Sequence, residues 1–167
     1  MPDIDRADRI RVSGILDVHE GRGRVPLLDD TAIAALLASG PRVAVVGASD
    51  RPGRPSRGVL LDLRAAGIDA VPVTPRWPMV GGVPAYPDLA AAVAATGRFD
   101  VVDVFRQPED CPAHAAEAVA AGARVLWLQL GIVSWEAAVI ARAGGLGVVM
   151  DRCLSVELAR LGTRGGG

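Results

Sequence analysis

The residues best placed to do chemistry follow short apolar runs, and the densest set comes directly after Val43–Val46. It reads Gly47-Ala48-Ser49-Asp50-Arg51-Pro52-Gly53-Arg54-Pro55-Ser56. Two glycines allow close backbone approach, two serines and two arginines supply donors, and helical periodicity begins where the segment ends. The first N–H groups of a helix lack partners, so a phosphate at such a loop would find them free. The plainer alternative is an ordinary strand-to-helix loop with solvated arginines. The motif is not G-x-G-x-x-G, because Ala48 and Ser49 follow Gly47. Nor is it G-x-x-x-x-G-K-[ST], because all 18 basic residues are arginine. The absence of lysine also excludes a lysine Schiff base.

Other candidates stand after later apolar runs. A domain built for NAD would place an acidic residue at the end of the second strand, for the ribose hydroxyls. Here Asp69 stands at the start of that strand and Thr74-Pro75-Arg76 at its end. An arginine at this corner suits a phosphorylated ribose, which disfavours NAD and leaves NADP or coenzyme A. Phe105-Arg106 offers an aromatic face and a fork of donors. Its alternative role is a core phenylalanine beside an ion pair of Arg106 with Glu109 or Asp110. Gln129 either reaches a ligand or satisfies loop backbone groups, and the second role is favoured. Asp151-Arg152-Cys153 places a thiol beside an arginine near a helix start, which can lower its pKa. No histidine lies nearby in sequence to serve as a base. The favoured reading is therefore Cys153 packed under the sheet edge, with Asp151 and Arg152 paired. His19 falls in an irregular stretch and His114 on the expected solvent face of an Ala-rich helix. Trp127 reads as core, while Trp77 and Trp135, near strand-end loops, either contact a ligand or cover the sheet, the second being favoured.

The elements that must position these residues follow from composition and rhythm. The chain has 167 residues, half of them hydrophobic and only 4% aromatic, so Ala, Val and Leu must build the core. A net charge of −1 argues against a general nucleic-acid binder. No apolar stretch of about 18 residues is present, and the charged N-terminus is unlike a signal peptide. Cys111 and Cys153 form no metal spacing, and a reduced cytoplasmic setting is expected. Residues 1–28 read as a partly ordered extension, 29–161 as the domain and 162–167 as a flexible Gly-rich tail.

Within the domain, strands are expected at Val43–Val46, Ile68–Val73, Val101–Phe105, Val125–Leu130 and Leu146–Met150. Helices are expected to begin near Asp29, Ser56, Pro87, Pro108, Ser134 and Leu154. Strands apolar on both faces and separated by single helices imply a parallel sheet covered on both sides. That is a three-layer, doubly wound, Rossmann-like α/β fold, whose ligands bind at the strand C-terminal edge.

Five segments in order, VAVVGASDRPGRPSRGV, VPVTPRW, VVDVFRQPED, WLQLGI and VVMDRCLSVELARL, resemble the small CoA-binding-domain family. That family is related to the nucleotide-binding domain of the succinyl-CoA synthetase α subunit. The resemblance covers about residues 41–161. It implies coenzyme A across the strand ends, its diphosphate on the Gly47–Ser56 loop, with Thr74-Pro75-Arg76 and Phe105-Arg106 lining neighbouring parts of the site. Thr74 stands where relatives commonly carry asparagine; it keeps a hydroxyl and loses an amide. Arg76 stands where many relatives have lysine or another polar residue. Succinyl-CoA synthetases work through a phosphorylated histidine in a further domain, which these residues do not contain. The expectation is therefore a non-catalytic module, a carrier or sensor of coenzyme A or acyl-CoA. The rivals are an NADP-dependent oxidoreductase, for which no Tyr-x-x-x-Lys pair exists, and a protein-interaction scaffold with a degenerate pocket.

Overall fold

The computed structural model describes residues 14–18 and 23–164. After a short helical turn, α1 (residues 14–18), the elements run α2 (Asp30–Ala38), β1 (Val43–Val46), α3 (Pro55–Ala65) and β2 (Ala70–Val73). A hairpin of β3 (Met79–Val80) and β4 (Val83–Pro84) precedes α4 (Leu89–Thr96) and β5 (Val101–Val104). Then come α5 (Cys111–Ala120), β6 (Val125–Leu128), α6 (Trp135–Ala143), β7 (Gly147–Val149) and α7 (Leu154–Arg164).

Helix starts follow local capping chemistry. Asp29, Asp88 and Ser134 each accept a backbone N–H three residues on, satisfying a donor that the helix itself leaves open. The helix expected from Pro108 instead divides: a 3₁₀ turn covers Pro108–Asp110, and α5 begins at Cys111. Pro112 has no N–H to return to the Pro108 carbonyl, so the tighter turn closes through Cys111 instead. The hairpin β3–β4 is an element that periodicity did not indicate. Its Gly81-Gly82 turn has both φ angles positive, at 56° and 79°, as the two-residue hairpin turn of that twist requires.

The main sheet is five-stranded, in the order β2-β1-β5-β6-β7, with every pairing parallel. The chain winds outward from β1 to β2, then crosses back past β1 to β5, so strand order reverses at β1. Helices α2, α3 and α7 cover one face through Ile33, Leu36, Leu60, Leu63 and Leu154. Helices α4, α5 and α6 cover the other, largely through Leu89, Ala92, Ala115, Ala118, Ala137, Ala138 and Ala141. Alanines at that α5–α6 contact let the helices approach closely, which explains how a chain so poor in aromatics closes its core. Trp127 is the largest fully buried side chain, and its indole N–H donates to the Arg152 carbonyl at 2.8 Å. The three-layer α/β architecture is thus as expected.

Both sheet edges are engaged. Beside β7, the Leu28 N–H donates to the Val148 carbonyl at 3.0 Å. Beside β2, Tyr86 accepts from the Thr74 N–H at 2.8 Å and donates to the Pro72 carbonyl at 3.2 Å. No helix among the described residues is long and apolar enough to cross a membrane.

Candidate functional site

Because strand order reverses at β1, the loops after β2, β1 and β5 meet at one edge. Gly47 is where the last two touch. Its φ is +81°, and a β-carbon there would lie 2.5 Å from the Phe105 carbonyl oxygen and 2.9 Å from Arg106 Cδ. Only glycine permits both that backbone and that approach. The Gly47 and Ala48 N–H groups donate to the Val73 carbonyl at 3.0 and 3.4 Å, which ties the β1 loop to β2 as well.

The loop is held by its own polar side chains. Ser56, buried at the start of α3, accepts from the Ser49 N–H at 3.1 Å. The Ser49 hydroxyl accepts from the Arg51 N–H at 3.2 Å. Asp50 accepts from the Gly81 N–H at 2.7 Å and lies 3.5 Å from Arg57 Nε, so it anchors the loop to the β3–β4 hairpin. Thr74, also buried, accepts from the Arg76 N–H at 3.2 Å. Each hydroxyl keeps its hydrogen to donate elsewhere, whereas the Asp50 carboxylate can only accept. Helix α3 begins without a side-chain cap, with Arg54 at the cap position and Pro55 as its first residue. The positive end of its dipole faces the loop, as an anion would require.

Arg51, Arg54 and Arg76 are exposed around this edge and make no ion pair among the described residues. Arginines elsewhere, such as Arg42, Arg124 and Arg160, each have a carboxylate partner. Arg106 is held by Asp110 at 3.2 Å, with both side chains about half exposed. That ion pair is the alternative role the sequence left open, and it is weak enough for a phosphate to displace. Phe105 is half-buried and packs against the face carrying α3 and α7. Pro75 is exposed beside Arg76. The loops carrying Gly47 to Ser56, Thr74 to Arg76, and Phe105-Arg106 are therefore gathered in one place.

Gln129 serves backbone. It is buried, and its amide oxygen accepts from the Leu154 N–H at 3.4 Å, at the start of α7. Residues 151–153 differ from the expected arrangement. Asp151 adopts a left-handed φ of 56° and accepts from the Gly131 N–H at 2.6 Å. Arg152 turns instead to Asp30 at 2.6 Å and Glu157 at 3.5 Å, so the anticipated Asp151–Arg152 pair gives way to these contacts. Cys153 is half-buried against the face formed by α2, α3 and α7. His114 is half-buried rather than fully solvated, with Nδ1 3.1 Å from Glu117. His19 lies outside the described residues. Cys111 is fully buried, 3.4 Å from the Gln107 carbonyl. Burial first, then the nearby Asp110 and Glu109 charges, push its thiol up to about 11. It is no nucleophile at neutral pH. Among the described residues, no group of three or more His, Cys, Asp or Glu is placed to hold a metal ion.

One residue that sequence reasoning passed over is Asp103. It lies within β5, directly beside Val45 of β1 and Trp127 of β6, is fully buried, and neither carboxyl oxygen has a hydrogen-bond partner among the described residues. The available signal was a single acidic residue inside the run Val101-Val102-Asp103-Val104. Burial raises its pKa well above the ordinary carboxylate value. The folded state thus favours the neutral acid, and this contribution to stability is complete at low pH. It is lost as pH rises from about 4 through the raised value, by at most about 1.4 kcal/mol per pH unit. Replacing Asp103 with valine removes an unpartnered buried acid and should stabilise the protein by about 1–3 kcal/mol at neutral pH. Urea unfolding at pH 5 and pH 8 should show that the advantage of Asp103→Val grows with pH. An advantage independent of pH would mean that Asp103 is not neutral in the fold.

Comparison with known proteins bears on the same stretch of chain. A family model described as "CoA binding domain" matches residues 41–159. The uncharacterized protein YneT of Bacillus subtilis (strain 168) is 38% identical over 127 residues, covering 76% of this chain and 92% of its own. A hypothetical protein from Pyrococcus horikoshii OT3 superposes with a TM-score of 0.75 at 33% identity, covering 80% of this chain and 92% of that one. A Thermus thermophilus structure, cell-free ID.343, gives 0.73 at 34% identity, over 80% and 99% of the two chains.

Proposed function

Since the chain belongs to the CoA-binding-domain family, we propose that it binds coenzyme A or an acyl-CoA across the C-terminal ends of β2, β1 and β5. It does so as a module without chemistry of its own, a carrier or sensor in the cytoplasm. In this reading the diphosphate lies on the Gly47–Ser56 loop against the start of α3, received by Ser49, Ser56, Arg51 and Arg54. Arg76, beside Thr74 and Pro75, takes the 3′-phosphate of the ribose. Arg106 reaches the diphosphate where the pantetheine arm leaves it, and Phe105 flanks the beginning of that arm. The observation that carries the reading is the set of exposed arginines, without an ion pair among the described residues, around a loop that its own hydrogen bonds hold ready. A loop already ordered gives up little entropy when an anion arrives. Two free cysteines, one buried and one half-buried, fit a reduced compartment.

The test is thermal. Coenzyme A at a hundred times its dissociation constant should add about 2.7 kcal/mol. For a chain of this size that is a rise of roughly 5–10 °C in Tm. NADP at the same concentration should give a smaller rise. A shift with NADP and none with coenzyme A would overturn the reading in favour of a reductase.

A further inference from the structure

A cavity of about 310 Å³ lies at the far end of the same sheet edge, between the segment preceding α2 and the residues that follow β7. That volume falls at the lower end of the range for small-ligand pockets. Its apolar wall is made by Val18, Val25 and Leu27 on one side and by Trp135 and Met150 on the other. Gly23 brings its backbone against the Trp135 ring, leaving no room there for a β-carbon. The segment that forms half of this wall precedes residue 41, where the family match begins. The cavity therefore takes one side of its wall from outside the family match and the other, with Trp135 and Met150, from within it.

We propose that this cavity receives the uncharged aliphatic acyl group of an acyl-CoA thioester whose pantetheine arm crosses the ends of β5 and β6. This rests on the coenzyme A reading above. In that reading adenosine lies at β2 and the diphosphate at β1, so the arm continues along the sheet order toward β7. Three strand spacings separate β1 from β7, about 14 Å. A pantetheine arm is as long as about four residues of extended chain, which also reach about 14 Å. The route passes the loop after β6, where Leu130 is 67% exposed, an apolar surface that the arm would cover. The charges at the cavity select among acyl groups. Asp29 also lines it, and Arg152, the cation among its described lining residues, is already engaged by Asp30 and Glu157. A terminal carboxylate would meet repulsion there, whereas a hydrocarbon chain would gain by leaving water.

Calorimetric titration of the full chain with coenzyme A, acetyl-CoA, hexanoyl-CoA and succinyl-CoA tests this. Each methylene buried strengthens binding about fourfold. Hexanoyl-CoA should therefore bind about ten- to a hundredfold tighter than acetyl-CoA, and succinyl-CoA no tighter than acetyl-CoA. Val25→Phe and Val18→Phe, which fill the cavity from two positions, should keep the affinity for coenzyme A and lose the hexanoyl gain. The wild-type comparison of hexanoyl with succinyl stands even if a variant fails to fold. Equal binding of coenzyme A and hexanoyl-CoA would overturn the acyl proposal while leaving the coenzyme A reading intact. So would a hexanoyl gain that survives in both folded variants. Failure of coenzyme A itself to bind would overturn the underlying reading and this one with it.

Discussion

Replacing Gly47 with alanine should lower Tm by roughly 5–15 °C and weaken coenzyme A binding at least about tenfold at temperatures where the variant is folded. Two separable effects add. A non-glycine residue at a φ of +81° is strained by about 1–2 kcal/mol. The new methyl would also sit 2.5 Å from the Phe105 carbonyl oxygen, which is backbone and cannot swing aside. Overpacking of this kind costs about 1–3 kcal/mol, and each kcal/mol is about 2–4 °C for a chain of this length. Gly53 supplies the control. It has the same φ of +81° in the same loop, but nothing lies within 4 Å of the position its β-carbon would take. Gly53→Ala should therefore show the strain alone, a loss of roughly 2–8 °C. Scanning calorimetry of the two variants separates the effects. Equal losses would mean that contact between the β1 and β5 loops is not what Gly47 provides.

The arginines should divide the phosphates of the ligand between them. A charge-assisted hydrogen bond contributes about 1.5–3 kcal/mol, and 1.4 kcal/mol is a factor of ten. Arg76→Ala and Arg106→Ala should each weaken coenzyme A binding on the order of ten- to a hundredfold, and added salt should weaken the wild type. Dephospho-CoA sharpens the assignment, because it lacks only the 3′-phosphate. The wild type should prefer coenzyme A, and Arg76→Ala should bind the two almost equally. Arg106→Ala should retain the preference while losing affinity for both. Arg106 must also leave Asp110, now 3.2 Å away, so Asp110→Asn should strengthen binding slightly. Indifference of the wild type to the 3′-phosphate would remove Arg76 from that role.

The fold was legible because its strongest signals are periodic. Runs such as Val43–Val46 and Val125–Leu128, short and apolar on both faces, read as central parallel strands because they alternate with helices that announce themselves by Asp88, Ser134 and similar caps. What escaped was short or relational. The β3–β4 hairpin has two residues in each strand, too few for any period, although Gly81-Gly82 was a usable turn signal. The strand expected to reach Leu130 ends at Leu128, because Gln129 turns inward to cap α7. Around the site, sequence identified the loops but not their division of labour. Ser49, Asp50, Ser56 and Thr74 read as donors or ligands from residue type, yet each also holds backbone, a role that only spatial neighbours such as Gly81 disclose. Asp103 carried a signal that went unused: one carboxyl among valines, whose lack of any partner depends on three strands meeting.

The engaged edges of the sheet bear on how copies of this chain can associate. A parallel sheet grows most easily by adding a strand where backbone groups stand free, the route to swapped dimers and to fibres. Here the β2 side has Tyr86 bonded to both Pro72 and Thr74, and Pro72 itself has no N–H to offer. On the β7 side the Leu28 backbone already occupies the Val148 carbonyl. An incoming strand must first strip one of these away. Self-assembly, where it occurs, is therefore steered to the helical faces, where contacts are set by side chains and can be specific. The segment before α2 thus doubles as a guard for the last strand, and its loosening would expose the backbone of β7 to a second molecule.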